Sequence, residues 1–319
     1  MTKNLQIAYS DDYLNWQLGS GDGNHITKPI RAKLATEYLV DELGDAVDII
    51  EPRVMRGDRE KLESIHHPSY VSQVLDAYTS YDWHGMNQDN AETAFKMFAG
   101  TVRLTENILS GETNVGFNPQ GAKHHAKITH SEGFCVFNDM AWAALEFQKA
   151  GLKPLYLDWD VHAGNGVQSI LEHTDIPTLS IHGSGIYPFG DNNHSMESWK
   201  HGTTHTWHNT DKHYYNWNIA LPGYDYDLLN AFDEVEEVID GYAPDIILLA
   251  TGADGHEKDL WGMKYTLNGF KKVSKRLAGL VNKHTDGKIL IGGAGGYRPY
   301  DWTPKVWKEV VSTIYTNVR

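Results

Sequence analysis

The chain has 319 residues, which is long for one domain but within the range of a large α/β enzyme domain. Hydrophobic residues make up 40% of it, with 10 Trp and 17 Tyr, so the chain can bury a stable core and is unlike a disordered protein. Its formal net charge of -14 argues against nucleic-acid binding and favours cationic ligands.

The cellular setting is indicated by features that the sequence lacks. Cys135 is the only cysteine, which excludes an intrachain disulfide and a cysteine-rich metal cluster and suits a reducing compartment. The N-terminal residues lack the basic start and apolar stretch of a secretory signal, and no run of 18 apolar residues occurs. We therefore expect a cytoplasmic protein that has no membrane partner.

Short apolar runs alternate with longer helical patterns along the chain. Strands are predicted at 5–9, 114–117, 154–157, 178–181, 217–221, 245–251 and 288–291, and helices at 30–43, 137–150, 165–172, 227–240, 266–283 and 304–317. This alternation predicts an α/β fold of three layers, with a central, mainly parallel sheet and helices on both faces.

The domain organisation follows from the same pattern. No Pro-, Ser- or Gly-rich linker and no internal repeat interrupts it, so residues 1–319 are expected to form a single domain. The segment 183–215 is long, polar and rich in His, Asn and Thr, which predicts an irregular surface loop that borders the functional site.

Four polar clusters directly follow predicted strands: Gly-Ala-Lys-His-His-Ala at 121–126, Asp-Trp-Asp-Val-His at 158–162, Gly-Ala-Asp at 252–254 and Gly-Ala-Gly-Gly-Tyr at 293–297. Ligands of open parallel sheets bind beyond the carboxyl ends of the strands. Each cluster alone has an ordinary explanation, such as a surface histidine pair or a simple glycine turn. Their common placement predicts that all four converge on one site.

Asp160, His162 and Asp254 offer two carboxylates and one imidazole, which suit a divalent ion. Three protein ligands leave a position for water and substrate, as in catalytic zinc sites. We therefore predict one catalytic Zn²⁺, which would polarise a carbonyl and lower the pKa of a water molecule to about 7.

Amide hydrolysis also needs a proton shuttle and a group that stabilises the oxyanion. His124 and His125 suit proton transfer because imidazole titrates near neutrality, and Asp158 and Asn165 are plausible orienting partners. Tyr297 follows a glycine-rich turn and could bring its hydroxyl beside the metal, although packing is a common role for such a tyrosine.

These motifs resemble the zinc-dependent histone deacetylase superfamily, which includes acetoin-utilisation proteins and acetylpolyamine amidohydrolases. The resemblance spans most of the chain and is carried by residues 29–31, 65–70, 121–126, 133–139, 156–166, 252–254 and 293–297. It implies an arginase/deacetylase-like fold and a zinc-dependent amide hydrolase that removes acetyl groups from acylated amines. The zinc ligands would be Asp160, His162 and Asp254.

The resemblance also implies roles around the metal. His125 would be the general base and acid, with His124 as its electrostatic neighbour, and Tyr297 would polarise the carbonyl. Asp158 and Asn165 would orient the two histidines.

Further residues match substrate and ion sites of the family. Phe134, which follows Gly133, and Tyr187 resemble the aromatic pair that lines the acyl-amine tunnel, and Arg31 resembles the arginine at the inner acetate channel. Members of the family also bind structural potassium. The matching groups for K⁺ are Ser180, the backbone of 158–162 and Ile181.

Several positions depart from the family pattern. Ala163 replaces a second histidine, Ala294 replaces a glycine, and Lys123 stands where an apolar residue or glycine is common. The segment 78–92 is short and has no clear match to the aspartate that usually grips the substrate. Asp89 is our candidate for that aspartate.

Two other functions remain open at this point. A ureohydrolase with two manganese ions needs a further Asp-x-Asp pair; Asp225 and Asp227 have this spacing, but they follow Pro222-Gly223, where solvated turn carboxylates are ordinary. A non-catalytic binding module on a deacetylase-like fold is the other alternative, and the complete set of catalytic groups argues against it.

The substrate is expected to be a small cationic acetylated amine or an acetyl-lysine group. This expectation rests on the net charge and on acidic residues near the N-terminus, among them Asp11, Asp12 and Asp22. The same acidity could instead serve solubility.

Overall fold

The computed structural model describes residues 4–18, 25–188 and 216–319. Its eight strands are β1 (Leu5–Ala8), β2 (Val47–Ile50), β3 (Val115–Asn118), β4 (Pro154–Asp158), β5 (Thr178–Gly183), β6 (Asn216–Leu221), β7 (Ile246–Ala250) and β8 (Ile289–Gly292). They form one sheet in the order β2-β1-β3-β8-β7-β4-β5-β6. Every neighbouring pair is parallel, which confirms the expected parallel sheet.

The helices of the described residues are α1 (Ile30–Leu43), α2 (Asp58–Glu63), α3 (Pro68–Leu75), α4 (Gln88–Ser110), α5 (Asp139–Lys149), α6 (Asn165–Leu171), α7 (Asp225–Tyr242), α8 (Leu267–His284) and α9 (Trp302–Asn317). Short 3-10 helices occur at Asp11–Asn15 and Gly44–Ala46. Among the residues that the structure describes, no helix is long and apolar enough to span a membrane.

The sheet separates two hydrophobic cores, and alternate residues of β7 belong to different cores. Ile247 and Leu249 pack with residues of α1 and α7–α9, whereas Ile246 and Leu248 pack with residues of α2–α6. Successive side chains of a strand point to opposite faces, so this division places helices on both sides of the sheet. The predicted three-layer arrangement is therefore confirmed.

The sequence pattern missed β2 and α2–α4. β2 lies at the edge of the sheet and its residues are partly or fully exposed, so it lacks the apolar run of a buried strand. α4 is 23 residues long, but its buried face includes Asn90, Thr93, Thr101 and Thr105. These polar residues interrupt the apolar periodicity by which a helix is recognised.

The start of α6 lies directly against the backbone of the tandem histidines. The backbone N–H groups of Gly166 and Val167 donate to the His124 carbonyl oxygen at 2.8 and 3.1 Å. A Cβ atom at Gly166 would lie 2.5 Å from the carbonyl oxygens of His124 and Ala126. Glycine is therefore required here by the close approach of α6 to the loop that carries the histidines.

Replacing Gly166 by Ala is expected to lower the melting temperature, because backbone atoms must move apart; overpacking of this kind costs about 1–3 kcal/mol. Gly279→Ala in α8 is the matched control, since its added Cβ meets no atom within 4 Å. The control should be neutral or slightly stabilising, because alanine favours helix. Equal melting temperatures of the two variants would contradict this account of the contact.

Candidate active site

The four clusters that follow strands meet at one edge of the sheet, as predicted. They follow β3, β8, β7 and β4, which are adjacent in the centre of the sheet. Contacts between the clusters are direct: the Gly295 N–H donates to Asp160 Oδ2 at 2.6 Å, and the Val161 N–H donates to Asp254 Oδ1 at 3.1 Å. The parallel arrangement thus brings residues from distant parts of the chain together.

Asp160, His162 and Asp254 form a compact, buried cluster. His162 Nδ1 lies 2.9 Å from Asp160 Oδ1 and 3.0 Å from Asp254 Oδ2. One ligand atom from each residue lies within 4.8 Å of the others, and among the described residues this is the one group of His, Cys, Asp and Glu so arranged. The predicted ligands are therefore assembled in a geometry that one ion can bridge.

The chemistry of this cluster fits a divalent cation. Asp254 Oδ2 is fully buried and lies 3.0 Å from His162 Nδ1. Burial, together with the neighbouring Asp160 carboxylate, raises the pKa of Asp254. Two buried carboxylates need a compensating positive charge, and oxygen and imidazole donors are typical ligands of Zn²⁺.

His162 provides the positive charge that the protein itself can supply. Burial disfavours its charged form, but its contacts with Asp160 and Asp254 outweigh this effect and raise its pKa to about 10. Burial also opposes ionisation of Asp160, yet the nearby His124 and His162 hold the pKa of that carboxyl low. A bound divalent cation would take over this role from the His162 proton.

Each of the tandem histidines has the hydrogen-bond partner that was predicted for it. His124 Nδ1 donates to Asp158 Oδ2 at 2.8 Å, and His125 Nδ1 donates to Asn165 Oδ1 at 2.8 Å. Asp158 Oδ2 also accepts the Tyr156 hydroxyl at 2.7 Å. Both imidazoles are buried, and their ring centroids are 4.0 Å apart.

The two histidines differ in charge preference. Burial lowers the pKa of each, but for His124 the carboxylates of Asp158 and Asp160 outweigh burial and raise the pKa. For His125, burial and the neighbouring His124 and His162 together hold the pKa well below the usual value. His125 is therefore kept neutral and can accept a proton, whereas His124 tends to be charged.

Tyr297 follows the glycine turn after β8 and faces the cluster. The centroid of the Tyr297 ring is 6.3 Å from that of His162 and 5.8 Å from that of Trp261. The backbone N–H of Tyr297 donates to Asp259 Oδ2 at 2.9 Å. The turn needs glycine at 295, because a Cβ there would lie 2.3 Å from Asp254 Oδ2. This close approach is what brings Tyr297 next to the metal-ligand cluster.

A narrow cavity of about 20 Å³ lies beside the histidines. Its lining includes predicted site residues and the unexpected lysine: Arg31, Lys123, His124, His125, Gly133, Phe134 and Tyr297. Arg31 Nη1 donates to the Gly296 carbonyl oxygen at 2.6 Å. Burial lowers the pKa of Lys123 to about 8, and its ammonium group lies 5.8 Å from the Trp16 ring centroid.

The two aromatic residues expected to line the tunnel lie in different places: Phe134 lines the cavity, and Tyr187 lies nearer the solvent. The Tyr187 ring centroid lies 5.2 Å from that of His125, and 43% of the residue is exposed, so Tyr187 stands at the entrance. The first residues of the expected loop 183–215 therefore border the site. Residues 189–215 lie outside the described residues.

The structure does not bring Asp89 to the cavity. Asp89 is exposed in the first turn of α4 and is absent from the cavity lining. Asp82, in the same short segment, is much closer to the site because its Oδ1 accepts the Phe134 N–H at 3.1 Å. Periodicity around 78–92 gave no signal that could distinguish these two carboxylates.

Two more acidic residues shape the site, although the sequence pattern did not identify them as site residues. Asp139 accepts the N–H groups of Ala122 and Lys123 at 3.0 and 2.8 Å, and so holds the loop of the tandem histidines. Glu132 accepts the Asn165 side-chain amide at 3.1 Å and the Tyr187 hydroxyl. Asp139 lies in one of the stretches that resemble the family, which was the available signal for it.

Asp225 and Asp227 are both engaged at the start of α7. Asp225 accepts the backbone N–H and the hydroxyl of Thr266 at 2.7 and 2.6 Å, and Asp227 accepts the Tyr224 N–H at 2.9 Å. These bonds tie α7 to α8 and argue against a second metal site formed by this pair.

Ser180 lies beside Asp158 in the sheet register. Its hydroxyl contacts His182 Nδ1 at 3.2 Å. The structural potassium ion that the resemblance implies stays a prediction.

A single eight-stranded parallel sheet with helices on both faces is an arginase/deacetylase-like α/β fold. Residues 25–314 match the model of the histone deacetylase domain. The chain belongs to the histone deacetylase family, and it is a hydrolase of that family.

Similar proteins support this assignment. The acetoin utilization protein AcuC of Staphylococcus aureus (strain Mu50 / ATCC 700699) is 30% identical over 96% of this chain and 80% of that protein. AcuC of Bacillus subtilis (strain 168) is 28% identical over 83% of this chain and 71% of that protein. The crystal structure of the HDA15 HD domain gives a TM-score of 0.81 at 24% identity, covering 99% of this chain and 90% of that one, and shows the shared fold.

Asp254→Ala is expected to lose bound zinc, because it removes one of the three proposed ligands. Elemental analysis of the purified variant measures this. Asp89→Ala, which alters an exposed carboxylate outside the cavity, is the control and should keep its metal. Full zinc occupancy in the Asp254 variant would rule out the ligand assignment.

Proposed function

We propose that this protein is a zinc-dependent amide hydrolase that removes acetyl groups from small cationic amines or from acetyl-lysine. The observation that carries the proposal is the buried Asp160-His162-Asp254 cluster, which lies next to two histidines of opposite charge preference. A bound Zn²⁺ supplies Lewis acidity there, which polarises a carbonyl and acidifies water.

His125 acts as the general base in this proposal. Its Nδ1 donates to Asn165, which leaves the lone pair of Nε2 available to accept a proton from water. The same nitrogen then returns the proton to the leaving amine. His124, held by Asp158, contributes positive charge next to the reaction rather than a second proton acceptor.

Tyr297 stabilises the oxyanion. Its hydroxyl donates a hydrogen bond to the carbonyl oxygen as negative charge develops there, which lowers the barrier more than it strengthens substrate binding. Burial and the carboxylates of Asp254 and Asp160 raise the pKa of Tyr297, so the phenol keeps the proton that it must donate.

The support for a cationic substrate comes mainly from the entrance. Of the acidic residues first considered, Asp11 contacts Lys33 at 3.3 Å and Asp12 contacts Lys96 at 2.6 Å, while Asp22 lies outside the described residues. Their charges are thus partly compensated. Glu132, which accepts the Tyr187 hydroxyl at the entrance, adds to the net charge of -14 in attracting an amine.

Tyr297→Phe should lower kcat by about 10² to 10³, the usual effect of removing one oxyanion donor, and should leave zinc content unchanged. Steady-state kinetics with an acetylated amine and elemental analysis test both parts. Tyr300→Phe makes the same change at a residue that is 63% exposed and serves as the matched control. Wild-type turnover by Tyr297→Phe would exclude the proposed role.

The substrate is tested by kcat/KM for acetylputrescine or acetylspermidine against an acetyl-lysine peptide at low and high salt. We expect the small amines to be preferred and their advantage to shrink with salt, because screening weakens attraction of a cation. A tenfold preference for the peptide, or no salt dependence for the small amine, contradicts the substrate assignment and leaves the hydrolase assignment intact.

A further inference from the structure

Glu132 lies at the entrance of the site and is joined to residues on both sides of it. Its Oε1 accepts the Asn165 Nδ2–H at 3.1 Å and also the Tyr187 hydroxyl. The backbone of Glu132 is fixed by reciprocal hydrogen bonds with Cys135 at 3.1 and 3.0 Å. The carboxylate is therefore held in place, although 26% of the side chain is exposed.

Asn165 is the link between Glu132 and the proposed general base. Its Oδ1 accepts the Nδ1–H of His125 at 2.8 Å, while its Nδ2 points to Glu132. Its main chain is anchored separately, because the Lys127 ammonium donates to the Asn165 carbonyl oxygen at 3.0 Å. The remaining freedom of this side chain is a flip that exchanges the amide oxygen and nitrogen.

The two orientations of the amide have opposite consequences for His125. With Oδ1 towards the ring, Nδ1 carries the proton and Nε2 has the lone pair that a base needs. With Nδ2 towards the ring, Nδ1 must be the acceptor, so the proton of the neutral imidazole moves to Nε2. An imidazole in that second tautomer cannot accept a proton at Nε2.

We propose that Glu132 is a positioning residue that fixes the orientation of the Asn165 amide and, through it, the tautomer of His125. An ionised carboxylate only accepts hydrogen bonds, so the flipped amide would place Oδ1 against Glu132 with no proton between the two oxygens. An aspartate at 165 would not need such a partner, because both of its oxygens accept. Glu132 thus fixes which end of the Asn165 amide faces His125, a choice that the nearly symmetric shape of the amide leaves open.

This inference rests on the proposed function in one respect, the role of His125 as a base, but its spectroscopic test does not depend on activity. The variant is Glu132→Gln, which keeps the shape but can accept from or donate to Asn165. In protein labelled with ¹⁵N-histidine, the ring nitrogens report the tautomer directly, and the His125 signals are assigned by their loss in His125→Ala. His124, whose partner Asp158 is unchanged, is the internal control.

We expect wild-type His125 to have its proton on Nδ1 alone and Glu132→Gln to show both tautomers. In the zinc-loaded enzyme, kcat should fall in proportion to the fraction of His125 in the wrong tautomer, about twofold where the two tautomers are equally populated, with a smaller change in KM. Adding Asn165→Asp to Glu132→Gln should return the proton to Nδ1, because both aspartate oxygens accept. The nitrogen signals, not kcat, report this rescue, because a carboxylate partner also favours the imidazolium.

A single, unchanged tautomer in Glu132→Gln overturns the proposal. If KM rises while the tautomer stays unchanged, Glu132 belongs to substrate binding and the hydrolase function stands. Glu132→Ala, in which water can donate or accept, gives the same reading of the tautomer should the glutamine variant fail to fold. An enzyme without activity on any acetylated amine would defeat the proposed function, while the tautomer measurement still decides this inference.

Discussion

The burial of two carboxylates side by side is the constraint on which the rest of the site depends. Asp160 and Asp254 are both fully buried; Asp160 accepts the backbone N–H groups of His162 and Gly295, and Asp254 accepts that of Val161. Their uncompensated charge explains why His162 has a raised pKa and why a divalent cation suits the cluster. The glycines that follow β7 and β8 permit the loops to approach closely enough for this arrangement.

The same charge also separates the functions of the paired histidines. Two adjacent imidazoles would ordinarily titrate alike, but His124 is held by the Asp158 carboxylate and His125 by the neutral Asn165 amide. A carboxylate favours the imidazolium, whereas an amide leaves burial to favour the neutral ring. The difference between these two partners therefore gives the two imidazoles, whose ring centroids are 4.0 Å apart, opposite charge preferences.

Two charged side chains lie close to this centre. Lys123 brings a cation into the inner cavity near Arg31, and burial lowers its pKa to about 8. Glu132 brings a carboxylate to the entrance, where it contacts Asn165 and Tyr187.

The sequence by itself determined most of the strand and helix pattern, the candidate ligand cluster and the partners of the histidines, because a parallel sheet brings the carboxyl ends of its strands to one edge. It did not reveal the exposed edge strand β2, the helices α2–α4, or which acidic residues reach the site. Asp89 was the candidate because of its position along the chain. In the structure, Asp82 contacts Phe134 and Glu132 contacts Asn165. Only the tertiary structure decided this, because these contacts join residues 33 and 52 positions apart in the chain. Such contacts leave no local periodicity in the sequence.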